Sequence, residues 1–260
     1  MCPSLPYQTL FHFFIFKNFI LMRKLLLLLL LTPLLSISQT KTVLNASRYF
    51  CKPDKVQAFE KALSAHAQKF HTGDWHWRVW TIESGPDASG YMVTEGPSDW
   101  ATMDSRGEIS PAHTADWTMN VSPLITSQYS SSYYEFEPDL GTVQMTDYAD
   151  KIMINHMTAK PGKIFAVSEL IKKLKKVWEA GQESVAVYSL TASGDPGYIT
   201  VTRFKNGLKE LAKGYRKPMM ERYNEVNGTG SWEAYLKDYA DAVERRWSEL
   251  LVYKPKLSSK

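Results

Sequence analysis

Few of the features that identify a common enzyme or a nucleic-acid-binding protein occur in this sequence of 260 residues. It has two cysteines, Cys2 and Cys51, and a formal net charge of only +4 at neutral pH. Without residues 1–38, the chain keeps 28 basic and 27 acidic residues and the single cysteine Cys51. One cysteine excludes an intrachain disulfide in that shorter chain. A net charge of about +1 gives no reason to expect a nucleic-acid partner.

The motifs of several large enzyme classes are also missing. There is no Gly-x-Ser-x-Gly turn for a hydrolytic serine, no Gly-Lys-Ser/Thr loop for a nucleotide phosphate, and no dinucleotide glycine fingerprint. His71, Asp74 and His76 lie close together in sequence but match no standard zinc spacing. His66 and His71 are five residues apart, which does not place them on one helix face. We therefore predict no metal site and no organic cofactor.

The N-terminal residues 1–38 have the composition of a secretory signal. A short basic start precedes an apolar run over residues 25–35, and Ser36 and Ser38 supply small side chains for cleavage within residues 36–38. This apolar core is too short for a stable membrane span. An uncleaved anchor is the alternative, because residues 11–20 add apolar length, although Lys17 interrupts the run. We expect a periplasmic or extracellular protein with no stable membrane span after cleavage, and an oligomer is possible.

The most informative feature present is an internal repeat. Residues 52–73 begin with Lys-Pro, continue as an amphipathic helical pattern and reach a glycine, and residues 160–181 do the same. The connectors 83–89 and 193–197 are both rich in Gly, Pro, Asp and Ser, which indicates two similar turns. Each half is predicted to run strand, helix, strand, strand, helical region, strand. Repeats determine architecture, and this one predicts two similar α+β units packed together.

The two halves differ mainly in the region before the closing strand. In the first half, Pro123 interrupts any long helix. In the second half, the apolar spacing predicts helices near residues 208–226 and over residues 232–247. The closing strands are predicted at residues 132–136 and 250–253. The predicted domains are a leader over residues 1–38, a first ferredoxin-like repeat over residues 39–140, and a second repeat with a helical insert over residues 141–260.

A strand-helix-strand order used twice is the ferredoxin-like unit, whose antiparallel sheet carries helices on one face only. On this repeat and element order, residues 41–256 resemble the dimeric α+β barrel superfamily in its tandem, pseudo-dimeric form. That superfamily includes antibiotic-biosynthesis monooxygenases and NIPSNAP-type proteins. The resemblance implies an α+β fold in which two ferredoxin-like repeats form one pseudo-dimeric α+β barrel. It brings no catalytic motif, so it implies more about fold than about activity.

The resemblance also bears on haem. Tandem barrels of the chlorite dismutase kind bind haem through a histidine in the second half. Here that half contains only His156, which lies on a predicted strand rather than a helix. This difference argues against a haem site.

If the barrel forms, equivalent positions of the repeat should face the same cavity. Arg48 aligns with His156, so a base and a cation that could hold an oxyanion or a carboxylate would meet. We take this pair, together with Tyr198, as the candidate catalytic residues. The candidate ligand-binding residues are polar or aromatic and lie on or beside aligned strands: His76, Arg78, Trp80, Tyr91 and Tyr188. The alternative is that these side chains pack between the sheets or face solvent.

Three functions fit this sequence, and it leaves open whether the protein is an enzyme. The first is an exported protein that binds a small apolar or aromatic molecule between the two sheets. The second is a cofactor-independent monooxygenase or isomerase acting on an aromatic or polyketide-like substrate, with Arg48, His156 and Tyr198 moving a proton. The third is a protein-interaction module with a filled barrel and an exposed apolar patch within residues 208–247.

Overall fold

Eight antiparallel strands of this chain close into a single barrel. The computed structural model describes residues 41–260, and the predicted leader over residues 1–38 lies outside that range. Within the described range, no helix is long and apolar enough to cross a membrane.

The first repeat supplies four strands and three helices. They are β1 (Val43–Cys51), α1 (Val56–Phe70), β2 (Trp77–Ile82), β3 (Tyr91–Ser98), α2 (Trp100–Ser105), α3 (Pro111–Asp116) and β4 (Ile125–Phe136). The second repeat supplies the same number of each. They are β5 (Lys151–Ala159), α4 (Ile164–Ala180), β6 (Val185–Thr191), β7 (Gly197–Arg203), α5 (Met219–Asn227), α6 (Ser231–Ala242) and β8 (Val243–Tyr253).

The order of strands around the barrel is β1-β3-β2-β8-β5-β7-β6-β4. Counted within each repeat, the fourth strand lies beside the first, followed by the third and the second, which is the ferredoxin-like arrangement. The two four-stranded sheets join where β2 pairs with β8 and where β4 pairs with β6. The predicted fold class, two ferredoxin-like repeats forming one α+β barrel, is confirmed.

Strand alternation divides the apolar side chains into an interior cluster and two outer clusters. The interior cluster includes Trp80, Ile154 and Leu251. Helix α1 covers the outer face of the first sheet and buries Phe59 and Leu63 completely, as their four-residue spacing requires. Helices α4, α5 and α6 cover the outer face of the second sheet in the same way.

The region before the last strand differs from the sequence prediction. The predicted helix over residues 232–247 is wrong at its end, because α6 stops at Ala242 and β8 starts at Val243. β8 pairs with β5 along nearly its whole length, and this ladder satisfies backbone groups that a continued helix would have used internally. The predicted helix over residues 208–226 is also shorter, since Leu208–Leu211 is a single 3-10 turn and α5 begins only after Pro218.

Candidate functional site

Glu249 lies at the centre of a charged network inside one end of the barrel. Its carboxylate accepts hydrogen bonds from Arg48 Nη1 and Nη2 at 2.8 and 2.5 Å, and lies 2.7 Å from His156 Nε2. Arg48 Nη1 also donates to Asp87 at 2.8 Å. Arg48 comes from β1 and His156 from β5, so the structure brings together two aligned positions of the repeat. The carboxylate that joins them was missed by the sequence analysis.

Hydrogen bonds decide which of these buried groups keep a charge. Burial favours the neutral form of Glu249, but bonds from Arg48 and His156 outweigh it and hold the pKa of the carboxyl below its ordinary value. Burial lowers the pKa of His156 by more than the nearby carboxylate raises it, so the imidazole is neutral at pH 7. A neutral His156 donates its Nε2 proton to Glu249, which leaves Nδ1 as the basic nitrogen.

The network borders a cavity of about 350 Å³ at the barrel mouth. Trp247 stacks on His156 with ring centroids 3.7 Å apart and fixes the plane of the imidazole. Within residues 41–260, Nε2 is the ring nitrogen of His156 that is hydrogen-bonded, so Nδ1 is available as a base. Arg48 already holds two carboxylates of the protein, Glu249 and Asp87, so these occupy the place expected for a substrate anion.

The middle of the barrel is nearly filled. Arg78, Trp80 and Tyr188, three of the candidate ligand-binding residues, line a cavity of about 70 Å³ between the sheets. The Arg78 guanidinium lies over the ring of Tyr148, 4.0 Å from its centroid, beside that cavity. Known ligand pockets are several-fold larger, at roughly 300–1,000 Å³. The space beside these three side chains is therefore that of a few water molecules.

The other candidate residues lie elsewhere. Tyr91 and Tyr198 are equivalent in the repeat, and both pack on the outer face of the barrel, beneath α1 and α4 respectively. Tyr91 donates its hydroxyl to Glu60 at 2.9 Å, and Tyr198 only borders the barrel-mouth cavity. A displacement of one residue along a strand reverses the face, which is why the sequence could align these tyrosines without orienting them. His76 precedes β2 and lines none of the cavities described here.

A larger cavity, of about 840 Å³, lies between the outer face of the second sheet and helices α4, α5 and α6. Polar and apolar side chains of β5 and β7 form its floor. Aromatic side chains form much of its wall: Trp178, Phe204, Trp232, Tyr235 and Tyr239. Leu211 and Leu236, about half exposed, also line it. Two of the exposed apolar side chains within residues 208–247 thus lie at this cavity.

Polar and charged side chains also line this cavity: Asn155, Glu183, Thr200, Thr202, Glu210, Lys213, Arg216, Arg222 and Arg246. Glu183 pairs with Arg216 and Arg222, and Glu210 pairs with Arg216. Arg246 Nη2 donates to Asn155 Oδ1 at 3.1 Å, and Asn155 Nδ2 makes a long contact of 3.4 Å with Thr200 Oγ1. The buried hydroxyl of Tyr239 has no hydrogen-bond partner among the described residues. Small-molecule sites are usually lined by aromatic and apolar side chains with polar groups that orient the ligand, and this cavity offers both kinds.

The structure also groups three histidines that the sequence analysis left apart. His66, His71 and His113 each place a ring nitrogen within 4.8 Å of the others. Because α1 ends at Phe70, His71 leaves the helix and turns back toward His66, so helical spacing does not apply to the pair. His113 comes from α3. Asp74, which is near His71 in sequence, pairs with Lys41.

Comparisons with known proteins inform the fold. No protein-family model matches this chain, and no curated protein matches it. A proposed monooxygenase from Fusobacterium nucleatum aligns with a TM-score of 0.50 and 12% identity, over 81% of this chain and 91% of that one. An anthrone oxidase-like protein aligns with a TM-score of 0.50 and 12% identity, over 84% and 93%. A proposed monooxygenase from Lactobacillus acidophilus gives 0.49 and 10%, over 82% and 94%.

At identities this low, the likeness concerns the fold and not the reaction. The closed ring of eight strands, each half in ferredoxin-like order, agrees with it. The chain has the fold of the dimeric α+β barrel superfamily, with both ferredoxin-like units in one polypeptide, and the resemblance inferred from the repeat is confirmed.

Proposed function

We propose that the protein binds a small, flat, largely apolar molecule in the 840 Å³ cavity between the second sheet and helices α4, α5 and α6. The volume of the cavity and its wall of five aromatic side chains carry this proposal. A small apolar or aromatic molecule is also the ligand that the sequence analysis expects. The site differs, because the space between the two sheets is almost filled whereas this cavity has the volume of a ligand pocket.

The arrangement of the side chains suggests how such a ligand is held. The rings of Trp232 and Tyr235 are nearly parallel, at 13°, with centroids 5.2 Å apart, so part of the wall is already ordered. A buried hydroxyl without a partner costs roughly 1–3 kcal/mol. A turn of the Tyr239 ring toward the cavity would let a ligand with one carbonyl or hydroxyl group satisfy its hydroxyl and lie beside the Arg246–Asn155 pair. We therefore expect an aromatic molecule with a polar group at one end.

A fluorescence titration tests this proposal. Anthrone, a flat tricyclic ketone, is a suitable probe, and its binding should quench the fluorescence of cavity tryptophans. We expect Tyr239→Phe, which removes only the hydroxyl, to weaken binding roughly 2- to 10-fold, the value of one hydrogen bond. The matched control is Tyr133→Phe, at a partly exposed tyrosine of the first repeat. Equal affinity of the wild type and Tyr239→Phe, or an equal loss in the control, would contradict the assignment.

A second candidate function is proton transfer at the barrel mouth. The specific observation is that Glu249 orients His156 and leaves Nδ1 as the base beside a 350 Å³ cavity. Proton removal from a carbon acid would serve an isomerase, or a monooxygenase in which the resulting carbanion is oxidised by dioxygen. Deuterium exchange into anthrone, followed by NMR, should be accelerated by the wild type. We expect His156→Gln to lose that acceleration and Tyr198→Phe to keep it. Equal exchange rates in the two variants would refute the role of His156 as the base.

The place of action is also a proposal. The predicted leader over residues 1–38 supports export to the periplasm or the extracellular space. Cell fractionation of the natural host, with an antibody against the folded unit, tests it, and recovery of the protein in the cytoplasm alone would contradict it.

A further inference from the structure

Three buried or half-buried histidines of the first repeat point their Nε2 atoms at one another. His66 lies on α1, His71 follows its last residue, and His113 lies on α3. The Nε2 atoms of His66 and His71 are 3.3 Å apart, and those of His71 and His113 are 3.2 Å apart. The side chains of His66 and His71 are fully buried. The cluster lies on the outer side of the first sheet, beneath the short helices, away from the barrel interior.

Two carboxylates face the other ring nitrogens. Asp116 Oδ2 lies 2.8 Å from His66 Nδ1. Glu95 Oε2 lies 3.1 Å from His71 Nδ1, a distance though not an alignment typical of a hydrogen bond. Glu95 is itself held by Trp77 Nε1 at 2.8 Å and by Arg106 Nε at 2.9 Å. A carboxylate on Nδ1 places the proton there and leaves a lone pair on Nε2, which is the form in which histidine binds a metal.

Two nitrogen lone pairs that face each other at close range repel unless a proton or a cation lies between them. If Nδ1 carries the proton in both His66 and His71, their Nε2 atoms repel at 3.3 Å. A cation at the centre of the three rings removes this conflict. Zinc–imidazole bonds are about 2.0–2.1 Å long, so two nitrogens at a tetrahedral angle around zinc are about 3.3 Å apart. The two Nε2 separations that involve His71, 3.3 and 3.2 Å, agree with that geometry, and all three ring nitrogens lie within 4.8 Å of one another.

We propose that His66, His71 and His113 bind one divalent cation of the zinc class through their Nε2 atoms. Asp116 and Glu95 orient two of the three imidazoles and balance the charge of the ion. Three imidazoles favour zinc or a neighbouring transition metal over magnesium or calcium, which prefer oxygen ligands.

The site leaves a fourth position available. His113 also lines a cavity of about 290 Å³, together with Glu95, Arg106 and Trp117. Three protein ligands beside an accessible space are typical of a zinc that binds water or a small ligand, whereas a structural zinc is closed by four. This site is separate from the cavity of the proposed function, which lies on the second repeat.

Metal analysis of the full chain tests the proposal. The protein is stripped with a chelator, supplied with ZnCl₂, dialysed, and its zinc content measured. Competition with a chromophoric chelator then gives the affinity. We expect one zinc per chain, and a loss of affinity in Asp116→Asn of about 10- to 100-fold, the effect usual for a residue that orients a ligand. The loss in His113→Ala should exceed that. Circular dichroism verifies that the variants are folded, and His76→Ala, at a histidine outside the cluster, should bind normally.

Cobalt provides an independent measurement on the unmodified protein. A Co²⁺ ion bound by three imidazoles should give the intense visible absorption bands of tetrahedral cobalt, and equimolar Zn²⁺ should abolish them. Absence of stoichiometric zinc together with absence of these bands would overturn the proposal. So would equal affinity for zinc in the wild type and in folded His113→Ala, because the metal would then lie elsewhere.

Discussion

Substitution of Glu249 by glutamine tests the charged network most sharply. The change keeps the shape of the side chain but removes the charge that faces Arg48 and His156. The Glu249 side chain is fully buried, and Arg48 would keep only Asp87, which is about one-quarter exposed. Removing one partner of a buried ion pair typically costs about 3–5 kcal/mol, because the other charge stays buried without compensation. For a domain of this size, that corresponds to a fall in Tm of roughly 6 to 20 °C.

Thermal unfolding followed by circular dichroism measures this effect. The matched control is Glu169→Gln, the same chemical change in an ion pair with Lys172 whose two side chains are more than half exposed. We expect almost no change in the control, since exposed ion pairs contribute little. A fall in Tm of less than ~2 °C for Glu249→Gln, or equal falls in both variants, would show that the buried charge of Glu249 does not stabilise the fold.

Burial lowers the pKa of His156 from its ordinary value of 6.5, so the unfolded chain binds a proton there more readily than the folded chain does. The free energy of unfolding should therefore decrease as the pH drops below 6.5. Between pH 7 and pH 5, the urea midpoint should fall less in His156→Gln than in the wild type. Phe59 is fully buried on the face of α1 that packs on the first sheet, so Phe59→Ala should lose about 3–5 kcal/mol of unfolding free energy in urea titrations, and a loss below 1 kcal/mol would contradict that packing. A Cβ at Gly197 would overlap the carbonyl oxygen of Met157 on the neighbouring strand, so Gly197→Ala should cost about 1–3 kcal/mol, and an unchanged urea midpoint would argue against this register.

The fold could be predicted because its signals are local and occur twice. Helix α1 begins at Val56 and ends at Phe70, where the apolar spacing also begins and ends. The two turn-rich connectors define equivalent hairpins in the two halves. One face of a ferredoxin-like sheet is not covered by helices. Closing two such sheets into a barrel buries the uncovered face of each. None of these inferences required knowledge of a distant contact.

The functional groups were harder to predict because distant contacts position them. Glu249 belongs to a strand whose first residues have a helical apolar spacing, and only pairing with β5 makes them extended. That misassignment hid the side-chain alternation that places Trp247 and Glu249 on the inner face. The outward direction of Tyr91 and Tyr198 depends on a register of one residue. A helix end and a separate short helix bring His71 and His113 together, and no spacing rule describes that arrangement.

A crystal structure of the chain with saturating anthrone would decide whether a flat aromatic ligand occupies the cavity between the second sheet and helices α4, α5 and α6. We predict electron density for one molecule between the aromatic walls, with its carbonyl oxygen within hydrogen-bond distance of the Tyr239 hydroxyl. An empty cavity, either with anthrone bound at the barrel mouth instead or with no anthrone in the crystal, would contradict this assignment of the site.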